Sequence, residues 1–272
     1  MAQFKSDSSH LQVEAIDGVA VLTLNRPEAR NALSPPMSKA LIAAIAWAAD
    51  EPEIGAVLLT GAGKAFCAGG DVKAMGNTAP ADQPKPTFEA QFQALQHRHQ
   101  GIAGALRKMS KPSIAALPGA AAGAGMAIAL ACDLRIAAKS AFLSTGYARI
   151  GLSGDYGIAW LLSRTVAPAV ARALMLTSER VTSKRALKMG LINQRVDDHD
   201  LQTEAIALAT QLANGPQVAY KYLKANLDEA LEIDHATAID READRLLKSR
   251  TTADHKEAVR AFAEKRPPNF VR

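Results

Sequence analysis

The chain has 272 residues, 48% of them hydrophobic and 22% charged, which is enough for a sizeable core and too apolar for a disordered tail. The net charge of +5 is spread along the chain rather than clustered. That distribution argues against a nucleic-acid partner and permits an anionic small molecule.

In chain order, Leu11–Ile16 alternates apolar and polar residues, Asp17-Gly18 supplies a hairpin turn, and Val19–Leu24 returns as a more buried strand. Ser34 is placed to cap a helix that opens on proline and keeps helical periodicity through Ala49. Ile54–Thr60 reads as a buried strand, followed at once by the Gly-rich KAFCAGGDV of residues 64–72. Residues 76–87 have the Gly/Pro/polar makeup of a loop, and Phe88 to Met109 reads as a long helix stopped by Lys111-Pro112. Ser113–Leu117 is a further buried strand, Gly119 opens a run of small residues, and Leu134–Ala138 is the next strand. Beyond Ile158 the pattern is helical, at 158–166, 168–176, 183–189, 200–214, 216–231, 235–249 and 252–264, with one short strand near Val196. Alternation of strand and helix in the first half predicts parallel pairing with right-handed crossovers. Both Gly-rich segments, 67–70 and 119–125, fall at strand ends, where such sheets bind ligands.

Several chemistries are excluded. The chain has no G-x-x-x-x-G-K-[ST], no G-x-G-x-x-G after the first strand and no G-x-S-x-G elbow. Its six histidines form no metal pattern; His97 and His99 point to different faces of a helix and read as solvated. Cys67 and Cys132 lack ligand spacing and read as reduced and structural. No uninterrupted apolar run reaches the roughly 18 residues of a membrane span. MAQFKSDSSH lacks a signal-peptide core and NFVR is no peroxisomal address, so a cytoplasmic location is expected. What remains is a place where exposed N–H groups can converge. Gly69-Gly70 leaves a strand, and Gly123-Ala124-Gly125 opens a helix with almost no side chain. Two such N–H groups aimed at one point would make an oxyanion hole; the alternative is close helix–strand packing.

The blocks LTLNRPEARNALS (22–34), GAGKAFCAGGDVKAM (61–75), KPSIAALPGAAAGAGMAIALACDLRIAA (111–138), LTSERVTSKRALKMGLINQRV (176–196) and FAEKRPPNF (262–270) resemble, in order and spacing, those of the crotonase or enoyl-CoA hydratase/isomerase superfamily. The resemblance implies an α/β fold, a crotonase-like spiral of ββα units with a C-terminal helical region. A core over 1–200 would carry CoA and the active site, and 201–272 would mediate trimerisation, as a homotrimer or a dimer of trimers. It implies an acyl-CoA thioester substrate and an enolate-like intermediate. No cofactor is called for beyond the coenzyme A of the substrate, and no nucleic acid or membrane partner. The family's oxyanion donors fall on Gly70 and Ala124, and its CoA contacts on Arg26, Arg30, Lys64, Ala68, Asp71, Val72 and Lys265.

The chain departs from the family's hydratases at both catalytic glutamates. The first position is Ala127; the second is Tyr147 or Gly146, depending on a one-residue offset. Asp155 in GLSGDYG instead resembles the working carboxylate of other branches, ring-epoxide isomerases, double-bond isomerases and dehalogenases among them; its competing role is a helix N-cap. A dehalogenase would also need a helix histidine, and counting back from Pro112 puts that position on Gln100, one residue from His99. Glu89, at the start of the same helix, is the candidate for a second carboxylate in the pocket. Moving a double bond takes one base, whereas hydration asks for two proton-handling groups. The expectation is therefore an enoyl-CoA isomerase using Asp155, Gly70 and Ala124. A hydratase is the alternative, and a non-catalytic CoA- or RNA-binding scaffold lies further off.

Overall fold

The computed structural model describes residues 2–71 and 86–270. Strands β1 (Leu11–Ile16) and β2 (Val19–Leu24) pair antiparallel around Asp17 and Gly18, with φ of 48° and 82°. Two successive left-handed residues match the twist of a tight hairpin, as the sequence predicts. From β2 the chain passes through helix α1 (Pro35–Asp50) to β3 (Ala56–Gly61), parallel to β2. Ser34 caps α1 by accepting the Met37 N–H at 3.2 Å, ahead of proline in the first turn.

A unit then recurs three times. Strand β3 is followed by the short β4 (Ala65–Cys67) and, after a segment outside the described residues, by α2 (Phe88–His99). That helix runs through a π turn (Gln100–Gly104) into α3 (Ala105–Lys108). Next come β5 (Ser113–Leu117), β6 (Ala120–Ala122) and α4 (Ala124–Ala131), then β7 (Leu134–Ala138), β8 (Phe142–Ser144) and α5 (Ile158–Thr165). Each unit places its longer strand in one sheet and its shorter strand in a second, so the chain winds as a spiral. The larger sheet has the order β1-β2-β3-β5-β7-β10, and the smaller has the order β4-β6-β8-β9. Helix α6 (Pro168–Thr177), strand β9 (Val181–Thr182), helix α7 (Ser183–Met189) and strand β10 (Gln194–Val196) close the two sheets.

The sequence reading misses the whole smaller sheet. Its strands are two or three residues long. An alternation of period two cannot register over that length, and pairing with neighbours alone makes them strands.

Helix α8 (Leu201–Ala213) packs on β2, β3, β5 and β7. Residues 201–213, counted by the sequence reading with the C-terminal region, thus cover the sheet of the core. Beyond them α9 (Gln217–Glu229), α10 (His235–Arg250) and α11 (Ala253–Ala263) pack in series, α10 against α9 and α11 against α10. No described helix is long and apolar enough to cross a membrane.

Helix α4 is buried along its whole length. Gly125 permits this, because a Cβ there would stand 2.2 Å from the Cys67 carbonyl oxygen of β4. Cys67 and Cys132 are buried free thiols, and burial pushes each up to about 12, so both stay protonated at neutral pH.

The turn after β2 is held by Asn31, fully buried at φ 56°. Its Nδ2 donates to the carbonyls of Ala62 (2.9 Å) and Ala65 (2.8 Å), and its Oδ1 accepts the Arg26 N–H at 2.8 Å. Asn31→Ala leaves these buried groups unpaired, at on the order of 1–3 kcal/mol each. The expected result is a urea midpoint lowered by a loss of about 3 kcal/mol with unchanged slope; a shift under about 0.5 kcal/mol would show that the turn holds without it.

Candidate active site

The two Gly-rich segments meet where β4 ends and α4 begins. Gly69 has φ 92°, and a Cβ on it would stand 2.8 Å from the Ala122 carbonyl oxygen and 3.3 Å from the Ala124 nitrogen. Only glycine suits both the conformation and the space. The Gly69 carbonyl accepts the Leu33 N–H at 2.8 Å, and no peptide among the described residues is cis. A trans peptide points its C=O and its N–H in opposite directions. The Gly70 N–H therefore points away from the Leu33 N–H. The same logic applies to Ala124. The Gly123 carbonyl accepts the Ala127 N–H at 3.1 Å within the helix, so the Ala124 N–H points back out of the α4 N-terminus. Two peptide groups, each anchored by its carbonyl, thus sit where β4 ends and α4 begins. The positive end of α4 adds to the potential there. Such a pair can polarise a carbonyl oxygen.

Asp155 is half-buried beside this region. It does not cap α5; that position is Gly157, in the left-handed region, with no side-chain cap. The Asp155 carbonyl accepts the Ile158 N–H at 3.0 Å, and its carboxylate Oδ1 accepts the hydroxyl of Tyr147. Tyr147 is buried, and burial and then the Asp155 charge push its phenol up, so the proton remains on the tyrosine. The preceding residue, Gly146, sits against the Gly123 nitrogen: a Cβ there would be 3.8 Å from it. Cys67 senses the Asp155 charge and accepts the Gly69 N–H at Sγ, 3.4 Å away. Through Tyr147 and Cys67, Asp155 thus stands near the segments that end at Gly69 and begin at Gly123.

His99 is not a solvated helix residue. Its ring lies 4.2 Å from that of Tyr156, centroid to centroid, whereas His97 and Gln100 are exposed. Burial lowers the His99 imidazole, opposed by the Asp155 charge, so the ring is neutral at pH 7. The π turn after His99 holds one more residue per turn than an α-helix, which offsets any count made back from Pro112. Neither that turn nor the burial of Tyr156, whose φ is 49°, leaves a mark in the sequence beyond nearby glycines. Glu89 does not reach the site. It lies on the exposed face of α2, with Oε1 accepting from Gln93 Nε2 at 2.8 Å. Ala127 is fully buried, and no acid replaces it.

Of the residues matched to CoA contacts, five gather near the turn after β2. Arg26 is largely committed, donating to Asp71 at 3.3 Å from both terminal nitrogens and to the Ala32 carbonyl at 2.9 Å. The half-buried Ala68 donates its N–H to the Arg30 carbonyl at 3.0 Å. The side chains of Arg30 and Lys64 are exposed, and Gly63, next to Lys64, packs near Pro27. Lys265 stands apart, exposed just beyond α11. Val72, and residues 76–85 of the segment read as a loop, lie outside the described residues.

A spiral of ββα units capped by helices is the crotonase fold. The crystal structure of an enoyl-CoA hydratase from Polaromonas sp. JS666 superposes with a TM-score of 0.88 at 33% identity, covering 96% of this chain and 99% of that one. The family model described as enoyl-CoA hydratase/isomerase matches residues 14–272. The 1,2-epoxyphenylacetyl-CoA isomerase of Escherichia coli K12 is 36% identical over 256 residues, 93% of this chain and 95% of its own. The crotonyl-CoA hydratase of Syntrophomonas wolfei is 32% identical over 260 residues, 95% of this chain and 96% of its own. The chain belongs to the enoyl-CoA hydratase/isomerase family and is an enzyme of acyl-CoA chemistry.

Proposed function

We propose that this enzyme isomerises an enoyl-CoA thioester, with Asp155 moving the proton and the N–H groups of Gly70 and Ala124 holding the thioester oxygen. The observation that supports this most is the juxtaposition of one carboxylate, Asp155, with two anchored peptide groups, while Ala127 and Glu89 supply no second acid. Asp155 takes a proton from C2 of a 3-enoyl thioester, and the electron pair moves onto the carbonyl oxygen. The two N–H donors and the α4 N-terminus stabilise that charge. The proton returns at C4, leaving the double bond between C2 and C3. The sequence needs no electron transfer and no Lewis acid, so the coenzyme A of the substrate is the only such group required.

In this reading CoA lies along Arg30, Lys64 and the Ala68 backbone, with Arg26 and Asp71 bracing the turn and Val72 extending it. Lys265 would reach a phosphate of a neighbouring subunit in a homotrimer or a dimer of trimers. Supporting an assembly, Phe262 is 88% exposed and Leu246, Leu247 and Val259 are also uncovered on the outer helices. Water addition is the second reading, favoured by the likeness to a crotonyl-CoA hydratase. It would require Tyr147 as the second proton-handling group.

The test is 3-hexenoyl-CoA in D2O, followed by mass spectrometry and proton NMR. The expected result is migration of the double bond to C2–C3 with deuterium at C2 or C4 and no hydroxyacyl product. With 2-hexenoyl-CoA as substrate, conversion to a 3-hydroxyacyl-CoA beside unchanged 3-hexenoyl-CoA would decide for the hydratase.

A further inference from the structure

We propose that Tyr147 is a positioning residue, whose buried hydroxyl fixes the orientation of the Asp155 carboxylate by donating to Oδ1. The inference rests on the reading of Asp155 as the proton-transfer group. Tyr147 is 5% exposed and begins the short turn Tyr147–Ile150, so its ring is held by packing and its hydroxyl is aimed at one place. Tyr147 thus fixes the Asp155 carboxylate through one of its two oxygens.

A free aspartate turns about its Cβ–Cγ bond and presents either oxygen. With Oδ1 occupied, Oδ2 is the oxygen left for a substrate proton, and its direction is set before the substrate arrives. The surrounding groups reinforce this. Cys67 and Tyr156 remain protonated and His99 neutral, while Arg98 is the cation whose charge acts on both His99 and Tyr156. None of them is hydrogen-bonded to the Asp155 carboxylate, so Tyr147 is the side-chain donor to it among the described residues.

This arrangement also separates Tyr147 from the role of a glutamate at the same place. A glutamate would carry its own exchangeable charge beside the aspartate and raise like-charge repulsion. A phenol with a raised pKa donates a hydrogen bond and keeps its proton, so the pair acts as one carboxylate with a fixed orientation.

The experiment compares wild type, Tyr147→Phe and Asp155→Asn on 3-hexenoyl-CoA, with kcat and KM measured separately and the melting temperature as a check of folding. A hydrogen bond to a charged group is worth on the order of 1.5–3 kcal/mol, so the expected loss in kcat for Tyr147→Phe is about 10- to 100-fold. KM should stay within about twofold, because orientation affects the transition state and not binding, and Asp155→Asn should count as inactive by losing at least about 100-fold in kcat. If Asp155→Asn is inactive while Tyr147→Phe keeps wild-type kcat, the positioning role is overturned and the isomerase reading stands. If Asp155→Asn is active, the base assignment fails and this inference with it. A loss in Tyr147→Phe carried by KM or by a fallen melting temperature marks a structural role and also overturns it. Should Tyr147→Phe not fold, 3-fluorotyrosine placed at 147 keeps the hydroxyl and strengthens it as a donor. A positioning role then moves kcat, and an unmoved kcat rejects it.

Discussion

Asp155→Asn is expected to lower kcat for double-bond migration by about 10²- to 10⁴-fold, the usual contribution of a positioned general acid–base group. The substitution keeps the shape of the side chain, and Oδ1 can still accept the Tyr147 hydroxyl, so the loop before α5 should stay in place. Asparagine cannot take up the proton, however, and neither candidate position among the described residues replaces it: Ala127 is buried and apolar and Glu89 faces solvent. The sharpest readout is deuterium incorporation at C2 of the acyl group, which reports proton removal even when the double bond does not move. Wild-type exchange in the variant would show that another group carries the proton, and His99, packed on Tyr156, would be the next residue to replace.

The second large effect is expected at Gly69, which makes no proposed contact with the substrate. Gly69→Ala puts a Cβ 2.8 Å from the Ala122 carbonyl oxygen at a φ of 92°, so the β4 end and the α4 start must separate. The Gly70 and Ala124 N–H groups then no longer address one oxygen. Loss of one such donor costs about 10²- to 10³-fold in kcat, and that is the size expected here. Gly151→Ala is the matched control. It also has a positive φ, 68°, but nothing lies within 4 Å of its Cβ. It should lose about 1 kcal/mol of stability and keep its kcat. Equal kcat losses in the two variants would mean that backbone strain, not separation of the two N–H groups, is responsible.

Much of this site was legible because its chemistry rests on local backbone properties. Gly69-Gly70 at a strand end and Gly123-Ala124-Gly125 at a helix start stand out by residue type alone, although close packing, as of Gly125 on Cys67, asks for the same small residues. The hairpin at Asp17-Gly18, the Ser34 cap and the strands Ser113–Leu117 and Leu134–Ala138 were legible for the same reason. In each, the deciding interactions lie within a few residues. The exposure of Glu89 was not legible because helix periodicity does not say which way a helix faces when its polar residues run all round. His99 was misjudged because a π turn, one residue longer per turn, rotates the face that meets the core.

By itself, then, the order of residues determined the strand–helix alternation, the two glycine-bearing strand ends and the absence of the hydratase carboxylates, since all three depend on local chemistry. The smaller sheet, the seating of Gly69 against Ala124 and the bond from Tyr147 to Asp155 were decided only by the tertiary structure. Strands of two or three residues have no periodicity of their own. Contacts such as that of Gly69 with Ala124 join residues from different turns of the spiral, and they exist only once those turns have stacked.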